Sequence, residues 1–256
     1  MSEMTDSREK NSVETNALET RIQSQTNQKI DLAKWIGDNL KLNRHDKILE
    51  LCCGTGGQTS IFAREVDQGV IVCSDINPES IEINRRKLLN ERIRYIESDL
   101  DSLPKLLDEN FDLIFCGYGF YYSERPKALF HQLLPHLNTE GRFVLVGPVL
   151  GNNSELYALV EALKLDIPQP VIESSEHFMI DMQRMFLSSL DDVMLKRVKN
   201  EVTFGSADKL LQYWQKTTFY VPGFDAKFLE LSSEFFSERF VLTKSIAFLE
   251  GKKGGA

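Results

Sequence analysis

Residues 50–57 read ELCCGTGG, and this stretch decides the fold. It lies where an apolar run, Lys47–Cys52, gives way to a segment with helical spacing. Gly54 and Gly56 allow the backbone to turn sharply and to approach a ligand closely, with N–H groups of the following helix facing that ligand. Strand-to-helix turns of this kind are where α/β sheets bind ligands. Any tight turn favours glycine, so the neighbouring sequence has to identify the ligand.

Outward from this turn, strand and helix patterns alternate along the chain. Further strands are predicted at Val70–Ser74, Ile93–Glu97, Phe111–Cys116 and Phe143–Gly147. Helices are predicted between strands, and Asn77 with Pro78 is typical of an N-cap followed by the first residue of a helix. The alternation predicts an α/β fold with a doubly wound, mostly parallel sheet.

The alternation breaks after the fifth strand. Residues 150–199 contain two helix-like segments, near Glu155–Leu165 and His177–Leu190, and we expect an inserted helical lid there. Large apolar side chains at helical spacing are also typical of a core. In this segment they are Met179, Met182, Met185 and Phe186.

The two ends of the chain complete the domain prediction. Helices are predicted from Ser206 and over Phe228–Phe235, and a closing strand over Phe240–Leu249. We expect a single domain over residues 21–256 and a mobile polar tail over residues 1–20.

The composition is that of an acidic globular protein. The 256 residues carry 30 Lys and Arg against 38 Asp and Glu, and the net charge of −8 disfavours binding to nucleic acid. The longest apolar stretch, Phe143–Leu150, is interrupted by Gly147 and Pro148 and is too short to span a membrane. The first 20 residues lack the basic and apolar regions of a secretory signal. We expect a cytoplasmic protein without a nucleic-acid or membrane partner, and the sequence leaves its oligomeric state open.

The four cysteines, Cys52, Cys53, Cys73 and Cys116, show no C-x-x-C spacing. Each lies within or at the end of an apolar run, and free cysteine is among the most buried residue types. We therefore expect buried thiols rather than redox chemistry, and no metal site.

Two acidic residues follow successive predicted strands. Asp75 comes 21 residues after Gly54 and suits a carboxylate that accepts hydrogen bonds from both ribose hydroxyls. Asp99 follows the next strand, where a carboxylate could receive an exocyclic amine. As alternatives, Asp75 could cap the helix that begins near Pro78, and Asp99 could be a turn residue. Thr59 occupies the place of the third glycine in the dinucleotide fingerprint, which weakens a nicotinamide hypothesis.

Several stretches, in this order, resemble the successive motifs of class I S-adenosylmethionine-dependent methyltransferases: residues 48–56, 73–77, 97–100, 111–115, and 134–135 with 141–146. The resemblance covers about residues 30–150. It implies S-adenosylmethionine as cofactor and a seven-stranded sheet with one antiparallel strand, a place that Phe240–Leu249 could fill.

The same resemblance implies roles for individual residues. The two glycines of the turn back the methionine moiety, Asp75 holds the ribose and Ile76 packs on adenine. Asp99 and Leu100 receive the adenine edge, and Glu50 matches the acidic residue of the first motif. The acidic residues also suit the sulfonium cation of the cofactor. The expected cofactor-binding set is Glu50, Gly54, Thr55, Gly56, Thr59, Asp75, Ile76, Asp99, Leu100, Gly117 and Tyr118.

Residues 117–122, GYGFYY, leave the fourth strand beside the glycine turn and should border the reacting methyl group. Related enzymes that methylate amino nitrogens of nucleobases or glutamine often carry a polar residue, Pro-Pro and an aromatic residue here, and this chain departs from that pattern. Tyr121 is a candidate catalytic residue. Alternatively, Tyr121 or Tyr122 packs as a wall with its hydroxyl in water.

Elimination among the four histidines leaves one candidate general base. His45 and His136 precede strands and so belong to the wrong edge of the sheet, while His131 falls within a helix. His177, in the inserted segment, could take a proton from the acceptor, or it could be a surface histidine at a helix start. Positioning alone can also carry much of a methyl transfer.

The sequence therefore predicts an enzyme that moves a methyl group from S-adenosylmethionine to oxygen, nitrogen or carbon of a small or medium-sized acceptor, with a slight preference for oxygen. The alternatives are a catalytically silent cofactor-binding scaffold or partner subunit, and a nicotinamide-dependent oxidoreductase.

Overall fold

The computed structural model describes residues 14–24, 26–236 and 239–255. Strands β1 to β7 are Lys47–Leu51, Val70–Asp75, Ile93–Glu97, Phe111–Gly117, Leu137–Pro148, Asp191–Phe204 and Phe240–Lys252. Helices α1 to α10 are Thr15–Ser24, Leu32–Leu40, Thr59–Glu65, Pro78–Lys87, Pro126–Leu133, Ser154–Ala162, Gln169–Ile172, Phe178–Ser189, Ala207–Gln215 and Asp225–Phe236. A π-helical turn, Glu173–His177, joins α7 to α8. None of the helices described combines the length and the apolar character needed to cross a membrane.

Across the described residues, seven strands form one sheet in the order β3-β2-β1-β4-β5-β7-β6. The first five strands pair in parallel. Backbone hydrogen bonds join Gly141 to Lys253 and Val149 to Ser245, so β7 runs antiparallel to β5. The predicted doubly wound, mostly parallel sheet is therefore confirmed.

The central strands are buried on both faces. Every residue of β1 after Lys47 is buried, and so are residues 113–116 of β4. Apolar runs without alternation are typical of parallel strands that are covered on both sides. Polar side chains that contact a ligand must therefore come from the strand ends and the loops after them.

The strand order places the glycine turn at a reversal of the chain. From β1 the chain proceeds outward to β2 and β3, and then returns to form β4 on the other side of β1. Because β1 and β4 are parallel neighbours, the loops that follow them lie side by side at the carboxyl edge of the sheet. Such a reversal is the usual binding crevice of an open α/β sheet.

The chain packs as two compact units. The first unit contains the described residues up to Asp31, Pro148–His177 and Val198–Ile246, and the second contains Leu32–Gly147, Phe178–Arg197 and the residues from Ala247 onward. The stretch expected as one domain, residues 21–256, contributes to both units.

The first unit has a core of its own. In it the ring of Trp214 stacks on that of Phe228, with centroids 4.5 Å apart. The ammonium group of Lys244 is buried, and it donates to Asn153 Oδ1 at 2.5 Å and to the Tyr213 hydroxyl at 2.6 Å. Burying a charged group is costly unless it is hydrogen-bonded, so these partners are what allow a lysine at this place.

The N-terminal boundary differs from the prediction. Thr15–Ser24 is helical, so the expected mobile tail over residues 1–20 is wrong for residues 15–20. Glu14 has no regular secondary structure, and residues 1–13 of that predicted tail lie outside the described part of the chain.

The prediction of an inserted helical segment over residues 150–199 is wrong from Asp191 onward, where β6 begins. Within β6, Asn200, Val202 and Phe204 are buried and alternate with more exposed residues, which is the strand period. Charged side chains along β6 obscured this period in the sequence. Such side chains are typical of an edge strand, and β6 lies at the edge of the sheet.

Candidate active site

The glycine turn between β1 and α3 has a left-handed backbone. Gly54 has a φ of 51° and Gly56 a φ of 86°. A Cβ atom on Gly56 would also lie 2.5 Å from Asn84 Oδ1. Cys52, just before the turn, has a φ of 53°, which costs a non-glycine residue roughly 1–2 kcal/mol. Backbone strain of this kind is concentrated at functional sites.

Asp75, at the end of β2, holds the turn in place through both carboxylate oxygens. Oδ2 accepts the N–H of Gly54 at 2.8 Å and Oδ1 accepts the N–H of Asn77 at 2.9 Å. The helix-capping alternative is wrong, because Asn77 itself caps α4 by accepting from the N–H groups of Glu79 and Ser80. A carboxylate has about four acceptor positions, so Asp75 retains capacity for ribose hydroxyls.

The residues after β2 and β3 present an apolar face and a second carboxylate. The side chain of Ile76 is 56% exposed, although it follows a buried strand directly. Asp99 is exposed, and its Oδ1 accepts the N–H of Ser102 at 2.9 Å. Hydrogen bonds from the hydroxyl and the N–H of Ser102 hold the pKa of Asp99 below its ordinary value, so the group is an ionised acceptor at neutral pH. Asp99 is therefore a turn residue, and its carboxylate retains acceptor positions for a ligand.

Glu50 is a buried acid on β1, beneath the turn. Its Oε2 accepts from the Thr59 hydroxyl at 2.6 Å and from Cys73 Sγ at 3.5 Å. Desolvation raises the pKa of Glu50 to about 8, against the hydrogen bonds of Thr59 and Cys73, which lower it. Asn84 Nδ2 donates to the Thr59 hydroxyl at 2.9 Å, and the Tyr95 hydroxyl donates to Asn84 Oδ1 at 3.1 Å.

The end of β4 supplies the other wall beside the turn. Gly117 ends β4, and Tyr118 has a left-handed φ of 59° with its N–H bonded to the Val146 carbonyl at 2.8 Å. Thr55 is buried within the glycine turn, and Leu100 is half-buried after β3.

Aromatic rings cluster just beyond Tyr118. The ring of Tyr121 lies 4.8 Å from that of Tyr122 and 5.8 Å from that of Phe178, the first residue of α8. Phe120 is buried and lies 6.4 Å from Phe178. Tyr121 and Phe178 are half-buried and Tyr122 is exposed, so the cluster offers ring surface to a ligand.

Comparison with known proteins agrees with this geometry. Residues 48–141 match the model of a methyltransferase domain family. A ubiquinone/menaquinone biosynthesis C-methyltransferase from Idiomarina loihiensis is 30% identical over 125 residues, which are 45% of this chain and 49% of the relative. The match places a methyltransferase domain of the class I S-adenosylmethionine-dependent type at residues 48–141, which are less than half of this chain. The matched region spans only about half the length of the curated relatives.

Solved structures show the same fold as the methyltransferase domain. The YcgJ protein of Bacillus subtilis superposes with a TM-score of 0.59 at 16% identity, over 88% of this chain and 98% of that one. A magnesium protoporphyrin IX methyltransferase from Synechocystis, solved with bound S-adenosylhomocysteine, gives a TM-score of 0.52 at 13% identity, over 87% of this chain and 80% of that one.

The residues of the methyltransferase domain fit its cofactor, S-adenosylmethionine. The exposed Ile76 gives an adenine ring an apolar face beside the carboxylate of Asp75. Gly54 and Gly56 give the turn its left-handed backbone beside that carboxylate. The nicotinamide alternative gains no support, because residues 48–141 match a methyltransferase domain and Thr59 occupies the place of the third glycine.

The two predicted catalytic residues fall in different units. Tyr121 belongs to the second unit, with the glycine turn, and His177 belongs to the first, where it is exposed at the end of the π-helical turn. The catalytic roles of Tyr121 and His177 stay predictions.

Part of the predicted lid is core. Met179, Met182 and Phe186 are buried, and the Phe186 ring stacks on Phe130 with centroids 5.0 Å apart. The core alternative is therefore confirmed for these three residues, while the closing of residues 150–199 over an acceptor stays a prediction.

The cysteines are free thiols, as expected. Cys53, Cys73 and Cys116 are buried and Cys52 is half-buried. Burial raises the pKa of the Cys73 thiol, which therefore stays protonated at neutral pH. Within the described ranges, no three His, Cys, Asp or Glu side chains come together as metal ligands.

Three residues of the site were missed by sequence reasoning: Asn84, Tyr95 and Phe178. Asn84 carries a usable signal, because an asparagine on the apolar face of a helix beside Ile81 needs buried hydrogen-bond partners. Tyr95 and Phe178 look like ordinary packing residues in the sequence, and only the fold brings them to the site.

Proposed function

We propose that the chain transfers the methyl group of S-adenosylmethionine to a small or medium-sized acceptor with an apolar, ring-like face. The observation that carries the proposal is the convergence of the glycine turn, Asp75 and the aromatic cluster at neighbouring strand ends. The activity of the curated C-methyltransferases supports it.

When bound, S-adenosylmethionine supplies an electrophilic methyl group on a sulfonium sulfur. Asp75 would accept the ribose hydroxyls through its remaining lone pairs, and Ile76 would pack against adenine. Asp99 would accept the exocyclic amine. Asp75 places negative charge where a cation would bind, and Glu50 adds to that charge when it ionises. Tyr121 and the rings around it hold the acceptor in line.

The aromatic cluster supports an acceptor with a flat apolar face, because rings stack or pack edge to face at the distances that Tyr121 and Phe178 already show. The accepting atom is carbon in this proposal. The curated relatives are named as C-methyltransferases, whereas the sequence alone slightly favoured oxygen.

A base completes the proposal. A carbon acceptor becomes nucleophilic when a neighbouring hydroxyl loses its proton, and Tyr121 and His177 are the candidate groups for that step.

The acidic net charge supports a small acceptor over nucleic acid, and we place the protein in the cytoplasm. The relatives named above give no support to a catalytically silent scaffold.

A transfer assay tests the proposal. Purified full-length chain is incubated with methyl-labelled S-adenosylmethionine and a panel of phenols, hydroquinols, amines and aliphatic alcohols, and labelled product is identified by mass spectrometry. We expect label on ring carbon of a phenol or hydroquinol. Label confined to amines or aliphatic alcohols would contradict the acceptor class, and no label on any compound would contradict the activity.

Variants at Tyr121 separate its ring from its hydroxyl. If the hydroxyl acts as the base, Y121F loses turnover about 100-fold and keeps its affinity for S-adenosylhomocysteine. If only the ring matters, Y121F resembles the wild type and Y121A loses affinity for the acceptor. H177A is judged by the same two measurements.

A further inference from the structure

Asn84 is a fully buried polar residue that joins three elements of the second unit. It lies on α4, and its amide donates to Thr59 on α3 and accepts from Tyr95 on β3. The exposed fraction of Asn84 is 0%. A buried amide is retained in a core only when its donors and acceptor are satisfied, and these bonds satisfy it on both sides.

The amide fixes the direction of the hydrogen bond that Glu50 receives. Asn84 Nδ2 fills an acceptor position on the Thr59 hydroxyl at 2.9 Å. The single proton of that hydroxyl then points to Glu50 Oε2, 2.6 Å away. Glu50 therefore always faces a donor, which favours its carboxylate form over the neutral acid.

The same amide supports the glycine turn from below. A Cβ atom on Gly56 would lie 2.5 Å from Asn84 Oδ1 and 2.8 Å from Cγ, so the turn packs on the amide with no room for a side chain. Asn84 thus contacts Gly56 directly and Glu50 through one hydroxyl. Both residues belong to the cofactor site.

The other groups that face Glu50 do not replace this donor. Cys73 is a weak and longer donor at 3.5 Å. Asp75 adds negative charge nearby, which opposes ionisation of Glu50. The Cys53 thiol and the Tyr95 phenol lie within electrostatic range and are neutral at pH 7.

We propose that Asn84 is a positioning residue of the cofactor site, which orients the Thr59 hydroxyl toward Glu50 and so prepares that carboxyl group to receive a cationic ligand. The inference rests on the proposed cofactor binding. In this role Asn84 acts through Thr59 and does not need to contact the cofactor itself.

The variant N84D tests the direction of the hydrogen bond with almost no change of shape. The carboxyl group that N84D introduces has no amide N–H. When ionised, it accepts the proton of the Thr59 hydroxyl in place of Glu50, and its negative charge opposes the ionisation of Glu50 as well. We expect the dissociation constant of S-adenosylhomocysteine at pH 7 to rise about tenfold or more. We also expect the pH at which affinity is half-maximal to move upward by about one unit, because Glu50 loses its donor.

A second pair of variants keeps the test valid if N84D does not fold. T59V removes the hydroxyl with little change of volume and should shift the pH profile in the same direction as N84D. T59S keeps the hydroxyl and should restore the wild-type profile. The matched control is N110D, which adds the same charge at an exposed position before β4 and should leave the profile unchanged.

Isothermal titration calorimetry of the full chain with S-adenosylhomocysteine, from pH 6 to 9, supplies the measurement. E50Q provides the profile that comes from the ligand alone. Affinity that falls by the same factor at every pH in N84D and T59V, without a shift of the profile, would overturn the inference, and so would unchanged binding. Absence of binding by the wild type at every pH would instead remove the proposed function on which the inference rests.

Discussion

Glu50 shows how burial changes the chemistry of a single side chain. Its carboxyl group is 1% exposed, and desolvation raises its pKa from an ordinary 4.5 to about 8. At neutral pH the folded protein therefore holds a proton that the unfolded chain releases. When Glu50 ionises, its negative charge attracts a cationic cofactor. The hydrogen bond from the Thr59 hydroxyl favours this ionised form.

The raised pKa of Glu50 predicts a pH dependence of stability. Between about pH 4.5 and pH 8 the native state binds the extra proton, so the stabilisation from Glu50 is complete below this range and is lost as the pH rises through it. The slope reaches up to about 1.4 kcal/mol per pH unit. In E50Q this slope should disappear.

Urea unfolding of E50Q and wild type from pH 5 to 8 checks this prediction, with E91Q at an exposed position as control. The difference in midpoint between E50Q and wild type should change steadily with pH. A constant difference across the range would show that Glu50 has an ordinary pKa.

The glycine turn is the element on which the site depends, and its two neighbouring glycines, Gly56 and Gly57, make unequal demands. Gly56 has a positive φ and no room for a Cβ atom, whereas a Cβ atom on Gly57 would meet nothing within 4 Å. Gly56 is required both by its backbone conformation and by its contact with Asn84. Position 57 tolerates a side chain.

The two glycines predict opposite outcomes on substitution. G56A should lower the free energy of unfolding by about 1–3 kcal/mol and abolish measurable binding of S-adenosylhomocysteine. G57A should keep both close to the wild-type values. Thermal unfolding and calorimetry of the two variants check the prediction, and equal losses in G56A and G57A would contradict the difference between the two positions.

Strands β2 and β3 could be predicted from sequence, because their residue patterns match their places in the sheet. Ile93–Glu97 was predicted to the residue, and Val70–Asp75 within one residue. Leu137–Pro148 begins six residues before its predicted start, because Asn138 to Glu140 are polar and resemble a loop. β6 was missed for a similar reason. It is an edge strand, and its charged side chains hide the strand pattern in the sequence.

The residues of the candidate site also divide into those that sequence could place and those that it could not. Gly54, Asp75 and Asp99 could be placed after their strands from sequence, and the loops after parallel strands are where an α/β sheet binds ligands. Asn84 and Phe178 come from helices far along the chain, and their relation to the turn depends on how α4 and α8 pack. No local pattern contains that information.

At the scale of the whole molecule, the chain packs as two units with separate cores. The second unit holds the complete set of residues assigned to the cofactor. The first holds the buried Lys244 with its two partners, so its stability can be perturbed without touching the cofactor residues.

The variant K244M tests this separation. Removing the ammonium group leaves the buried Asn153 carbonyl and Tyr213 hydroxyl without their donor, at a cost on the order of 2–4 kcal/mol of stability. We expect a lower unfolding midpoint in urea and, below that midpoint, unchanged affinity for S-adenosylhomocysteine. K227M, at an exposed lysine, is the control. A loss of cofactor affinity in K244M under native conditions would show that the first unit takes part in cofactor binding.

Every role assigned to the site depends on cofactor binding, and calorimetry of the full chain with S-adenosylhomocysteine measures that binding directly. We expect one site per chain and an affinity at least tenfold weaker in D75N, because charge-assisted hydrogen bonds are lost. We expect wild-type affinity in D108N, an exposed aspartate of the loop before β4. A wild-type chain that is folded yet gives no binding heat and no rise in melting temperature with this compound, or D75N that binds as the wild type does, would contradict this prediction.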